Sequence, residues 1–376
     1  MKIILNISIY MILYLLCSGC TSEKGNVSNY IQFKINASYP EKEIHLEEVV
    51  DIEYLQIEFD EYFLFSETPA IITKNIIIIC RYIAGDILIF SRIGKPLSKF
   101  NHKGNGPREY TYIEKLLYDE SSDELFIKSA NKILVFSSSG EFKREIKLLN
   151  MSIREIFNYD SKTLLLYDDY NLYPSPFVII SKEDGRVVDS IEIPKGKEIE
   201  LFVMRQDRAN ILIAPAYHIV KYNDGYLLTD FSIDTVFYLS NEKELSPVLV
   251  RKPSMQSMDP VIYLNSFVEA GNYEFVSAIT VKNENNQLPR TYLMRDKKTG
   301  LIYRQKITFN DYKGKEVTLS PETIVNTQDN RFGFINLDLT ELQDANHENK
   351  LSGRLKELVD KSDEDGNDIY MLLHFK

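Results

Sequence analysis

Tryptophan is absent from the 376 residues, cysteine occurs three times and histidine five times. Three cysteines cannot make a disulfide framework, so the fold must be held by its apolar core. The histidines (His45, His102, His218, His347 and His374) are widely spaced. With no His-x-x-x-His, no His-Glu-x-x-His and no cysteine pair, the sequence offers no local zinc site, and no metal or other cofactor is expected. A basic stripe is also missing. The formal charge is −11, which disfavours nucleic acid, because phosphate contacts need clustered Lys and Arg. No Gly-x-Ser-x-Gly nucleophile elbow appears. Around Asp363–Asp368, Lys361 and Leu372 stand where a calcium loop needs acids, so that stretch reads as a solvated turn.

One long apolar run is present, at the start. Lys2 precedes Ile3–Leu16, which is apolar apart from Asn6 and Ser8, and Leu15-Leu16-Cys17-Ser18-Gly19-Cys20 follows. A stretch of this length ending in small residues is a secretory signal rather than a membrane span. Small residues directly before a cysteine read as a lipobox, with cleavage before Cys20 and the lipid carried on it, although Cys17 stands where such boxes usually have Leu. The alternative is an ordinary signal peptide with Cys20 an incidental thiol. Lipidation would tie the chain to a membrane, at roughly 0.8 kcal/mol per buried methylene. Cys80, inside Ile76-Ile77-Ile78-Ile79-Cys80, reads as a small core residue.

The rest is rich in strand formers, with 24 Tyr and 20 Phe. Runs of four to seven apolar residues are punctuated by Gly, Asn, Asp, Ser and Pro, the signature of an all-β sandwich, barrel or propeller. Repetition chooses among these. Ile87-Leu88-Ile89-Phe90-Ser91-Arg92-Ile93-Gly94 aligns without a gap on Ile133-Leu134-Val135-Phe136-Ser137-Ser138-Ser139-Gly140, at a spacing of 46 residues, and each leads into a second strand. This is a hairpin with glycine where φ > 0 is wanted. It recurs at Phe177–Ile191, at Thr235–Leu239 with a glycine-free turn at Asn241–Lys243, and at Thr291–Ile307. A period of about 40–50 residues with four short strands is a propeller blade. Five hairpins predict a six-bladed β-propeller. Its last blade would join Arg331–Leu337 and Asp368–Phe375 to an early strand, Ile52–Glu58, which hides the sheet edges. Thr340–Ser362 has apolar residues at helical spacing and predicts a short helical insertion within that blade. The expected organisation is a signal peptide over 1–19, a lipidated cysteine and linker over 20–42, and the propeller over 43–376. Without Trp, sialidase-type propellers are excluded; the same absence argues against the Trp-Asp repeat class, and the lack of a Gly-Gly pair argues against kelch.

Four stretches carry a resemblance. His45-Leu46-Glu47-Glu48-Val49-Val50-Asp51-Ile52-Glu53-Tyr54-Leu55, the loop Gly104-Asn105-Gly106-Pro107-Arg108-Glu109-Tyr110, and the strands Asp234–Tyr238 and Asp368–Lys376 resemble the six-bladed β-propeller lipoproteins of Bacteroidota, loosely related to TolB-like and NHL-type propellers. The resemblance implies the fold; the function of that group is largely unassigned.

Propellers gather ligands at the mouth of the central channel. Two stretches are candidates. Arg108, Glu109 and Tyr110 could contact a ligand there, Arg108 as a cation near the mouth. The competing reading is architectural: the glycines and Pro107 shape an interblade crossing that Glu109 and Tyr110 tie to a neighbour. Asp168, Asp169 and Tyr170 could form a carbohydrate platform, since carboxylates bind hydroxyls and Tyr faces stack on sugar rings. With no catalytic constellation, the expected function is a non-catalytic binding or scaffold module for a glycan, peptide or protein partner. It would be anchored through Cys20 in the outer membrane, on the periplasmic face or the cell surface. The competing function is a lyase or hydrolase acting on sugars or peptides at the mouth, which needs acid–base groups converging on one point.

Overall fold

Runs such as Ile76–Cys80 and Ile87–Phe90 are apolar at every position, which strands with one solvated face are not. The computed structural model describes residues 30–376 except 58–68, 149–150, 169–174, 195, 198, 200–201, 206–210, 215, 325–330 and 364–365, and it shows the cause. These runs are the middle strands of a blade covered on both sides. Ile77, Ile79, Leu88 and Phe90 pack with Leu55, Tyr370 and Leu372 of the last blade. Ile78, Cys80, Ile87 and Ile89 pack with Leu125, Ile127 and Leu134 of the next. Cys80 is a buried free thiol. The outermost strand, Pro96–Asn101, instead alternates half-buried and exposed residues.

Six blades form the ring. Blade 1 holds Pro69–Ile72, Ile76–Arg81, Asp86–Ser91 and Pro96–Asn101, from the axis outwards. Blade 2 runs from Lys115–Asp119 to Phe142–Lys147, and blade 3 from Ile153–Asn158 to Val187–Ile191. Blade 4 runs from Ile219–Tyr222 to Leu245–Lys252, and blade 5 from Ile262–Ala270 to Ile302–Thr308. Blade 6 joins Phe332–Leu337 and Ile369–Phe375 to Val50–Gln56, all antiparallel. Closure by an early strand is therefore as the sequence predicts. Two more N-terminal strands were not anticipated. Ile31–Lys34 lies parallel on the outer edge of blade 4, and Glu41–His45 lies parallel on that of blade 5.

The insertion between the last two strands is helical, as expected. It holds α2 (Leu339–His347) and α3 (Gly353–Val359); ahead of these strands a short turn, α1 (Pro321–Ile324), packs against Phe332–Leu337. Asp338 caps α2 by accepting from Glu341 N at 2.8 Å. Leu342, Ala345, Leu355 and Val359 face the core, and Ser362 receives Gln56 Nε2 at 2.7 Å, so the insertion covers the closing strand.

The hairpin glycines serve two demands. Gly140 has φ +86° and Gly185 has φ +76°, and each turn also abuts the outer strand of the preceding blade. A Cβ would stand 2.7 Å from the Phe100 ring at Gly140 and 2.6 Å from Ile146 Cγ2 at Gly185. In blade 4 the position falls to Lys243, which accepts φ +65° and forms an ion pair with Asp189 of blade 3.

Candidate functional site at the channel mouth

The innermost strands of blades 3, 4 and 5 begin at one end of the ring axis. There a polar side chain replaces the strand neighbour that an innermost edge lacks. Glu155 Oε1 accepts His218 N and Oε2 accepts Ile219 N, both at 2.8 Å, tying blade 3 to blade 4. Burial pushes the Glu155 carboxyl up to about 7, against the two N–H donors and the nearby Lys115 and Arg154, which favour the charged form.

His218 is fully buried. Its ring lies flat on Tyr167, with centroids 3.7 Å apart, and meets the edge of Phe231 at 4.3 Å. Nδ1 is 3.1 Å from Thr229 O; a carbonyl only accepts, so Nδ1 carries the hydrogen. Burial pushes the imidazole down to about 3, so it is neutral at physiological pH. Nε2 is buried and has no hydrogen-bond partner among the described residues. Beneath the pair, Tyr167 Oη donates to Asp230 Oδ2 at 2.8 Å, and Asp230 Oδ1 accepts Ser232 N and Oγ.

Arg251 completes the wall. It is 1% exposed and donates to Leu264 O, Ile233 O and Thr229 Oγ1 at 2.7–2.8 Å. Its guanidinium lies 5.1 Å from the Tyr263 ring centre. Burial lowers its pKa, with the Tyr263 hydroxyl and the carboxylates of Asp234 and Asp230 opposing. On the open side stand Arg154, 5.9 Å from the Phe231 ring centre, and half-buried Tyr217, whose hydroxyl burial pushes upward. Beside them, Arg290 donates to both oxygens of Glu322 at 3.0 Å. Chemically this is a wall of fixed dipoles and paired charges. Its one near-neutral carboxyl already receives two N–H groups.

The sequence candidates are distributed differently. Gly104–Tyr110 is the crossing from blade 1 to blade 2. Tyr110 is fully buried, donates to Gly85 O at 2.6 Å and accepts His102 N at 2.9 Å. Glu109 Oε2 accepts Gly106 N at 2.7 Å, and a Cβ on Gly104 would collide with its carboxylate. Arg108 is exposed, but its guanidinium lies 5.2 Å from the Phe142 ring centre, on the outer strand of blade 2 at the rim. Asp168 is buried at the end of its strand, where Oδ1 accepts Ser152 N at 2.8 Å. It follows Tyr167, whose ring stacks on His218. Asp169, Tyr170 and Cys20 lie outside the described residues. Glu155, His218 and Arg251 were not singled out as a group, because Glu155 meets a partner 63 residues away and no local spacing records that.

A family model described as a domain of unknown function, DUF4934, matches residues 30–374. No curated protein matches the chain. Among solved structures, a Bacteroides fragilis protein described as exported is similar, with TM-score 0.65 and 16% identity over 92% of this chain and 99% of that one. The Neurospora crassa Pan2 WD40 domain is more distant, with TM-score 0.36 and 11% identity over 66% of this chain and 70% of that one. At these identities the first likeness shows the fold alone.

Proposed function

The chain belongs to the DUF4934 family, and on that premise we propose that it is an exported, lipid-anchored module. It holds a glycan, peptide or protein ligand at the mouth formed by blades 3, 4 and 5, without turning the ligand over. The observation that carries this reading is the commitment of Glu155, His218 Nδ1 and Arg251 to internal bonds. Both Glu155 oxygens and His218 Nδ1 hold main-chain groups, which makes a rigid recognition wall rather than an acid–base pair. Export is supported by the apolar run before Cys20 and by the description of the Bacteroides fragilis propeller. Lipid on Cys20 and an outer-membrane position extend the same reading. On it, Cys20→Ala moves the protein from the detergent phase to the aqueous phase on phase separation. Equal partitioning of the two would refute the anchor.

Isothermal titration of the mature chain against panels of oligosaccharides and peptides tests the site. A ligand is expected to lose about tenfold or more in affinity with Arg154→Ala or Tyr217→Ala and little with Arg108→Ala at the rim. A ligand indifferent to both mouth changes would refute the location. One observation favours a second reading, a lyase or hydrolase: the Glu155 carboxyl stands near 7, where general acid–base groups work best. Turnover of a bound ligand that is abolished in Glu155→Gln would establish it.

A further inference from the structure

A second concave site lies at the opposite end of the ring, where the first turns of blades 4 and 5 meet the closing strands of blade 6. It encloses about 190 Å³, and Lys221, Tyr222, Glu269, Lys297, Arg331 and Lys376 stand in its lining. Four cationic residues and one acidic residue thus stand in the lining, in a chain whose formal charge is −11.

That carboxylate is already held: Glu269 Oε1 accepts Tyr222 Oη at 2.9 Å and Oε2 pairs with Lys297 at 3.5 Å. Lys376 Nζ donates to Glu47 O at 2.6 Å and pairs with Asp51 at 3.2 Å. Lys221 Nζ donates to Asp224 O at 3.1 Å and lies over the Tyr226 ring at 4.3 Å. The three lysines are directed by main-chain carbonyls, by a ring and by carboxylates that are themselves partly solvated, and such partly exposed ion pairs contribute little. An anion carrying more than one charge can therefore draw the Lys297 and Lys376 ammonium groups inward against these partly solvated pairings.

We propose that this pocket binds a phosphate group, carried by a small ester or a lipid headgroup. A single carboxylate is satisfied by one guanidinium fork, whereas a phosphate offers several strong acceptors to an Arg and separate Lys point charges at once. The volume points the same way. It lies below the roughly 300–1,000 Å³ of pockets that take drug-sized ligands, so a compact charged group fits and an oligomer does not.

The test uses the mature chain at low salt with three probes: glycerol phosphate, acetate, and neutral phosphatidylcholine vesicles with and without phosphatidic acid. Binding of glycerol phosphate is expected, weakened about tenfold or more by Lys297→Gln or Arg331→Gln. A control, Lys99→Gln on the outer strand of blade 1, should leave it unchanged. Added binding to phosphatidic acid vesicles identifies a headgroup as the source; binding only in solution identifies a free ester. Thermal melting accompanies each variant. If Arg331→Gln lowers the melting temperature, Lys297→Gln and Lys221→Gln carry the comparison. Three results would overturn the proposal: no binding of either phosphate probe, equal affinity for acetate, or affinity undiminished in the folded variants.

Discussion

Replacing Gly140 by alanine should destabilise the protein far more than the same change at Gly314, although the two backbones are nearly alike. Their φ angles are +86° and +80°, and a side chain in the left-handed region costs about 1–2 kcal/mol at either site. At Gly314 nothing lies within 4 Å of the added Cβ, so the cost ends there. At Gly140 the Cβ would stand 2.7 Å from Phe100 Cγ and 2.8 Å from Cδ1. That ring cannot withdraw easily, because it packs on Phe136 at 5.9 Å and His102 at 5.5 Å. His102 is fixed in turn by Gly140 O at 2.9 Å. Overpacking of such a contact adds about 1–3 kcal/mol. Gly140→Ala is thus expected to cost about 2–5 kcal/mol, against about 1–2 for Gly314→Ala. Urea unfolding followed by circular dichroism measures both, provided the slope with denaturant is unchanged. Losses that agree within about 0.5 kcal/mol, the scatter expected of unrelated surface changes, would show that the preceding blade makes no demand on the turn.

Arg251→Met is expected to cost about 3–5 kcal/mol, since it strands Leu264 O, Ile233 O and Thr229 Oγ1 in a buried wall; a denaturation midpoint like that of the parent would contradict this. Glu155, raised to about 7, holds its proton more tightly when folded, so its contribution declines as pH rises from the ordinary carboxylate range to about 7. His218, pushed down to about 3, is protonated first in the unfolded chain, so its contribution declines as pH falls below about 6.5. The two slopes oppose between about 4.5 and 6.5. In that window Glu155→Gln should make stability fall more steeply on acidification than in the parent, and His218→Asn should shift the slope the other way. Parallel pH profiles for all three proteins would dismiss the assignment.

How much the sequence discloses depends on whether an interaction is local. The hairpin at Ile133–Ile146 is legible because its strands, turn and glycine are consecutive, and its copy at Ile87–Phe100 repeats them. The joining of Val50–Gln56 to the C-terminal strands is legible from the need to close a ring. The parallel strands Ile31–Lys34 and Glu41–His45 are not, because a parallel edge strand takes its register from a partner far along the chain. The site divides the same way. Gly104–Tyr110 stands out as a motif; Tyr110 makes the expected tie, to Gly85 of blade 1, while Glu109 bonds Gly106 within the loop itself. The mouth is written in single residues, Glu155 within one strand, His218 before another and Arg251 in a third, that gain meaning only when three blades stand side by side.

The three N-terminal strands also set an order of events. Ile31–Lys34 waits for Leu245–Lys252, Glu41–His45 for Ile302–Thr308, and Val50–Gln56 for Ile369–Phe375. A chain emerging N-terminus first therefore delivers first the segment it can use last. Blades 1 to 3 can stack as they emerge, each built from consecutive strands, while the leading ribbon stays unpaired until blades 4, 5 and 6 arrive in turn. Long-range pairing of this kind is slow and leaves strand edges open in the interim. Loss of only the final strand would leave Val50–Gln56 without its partner and the circle open between blades 6 and 1.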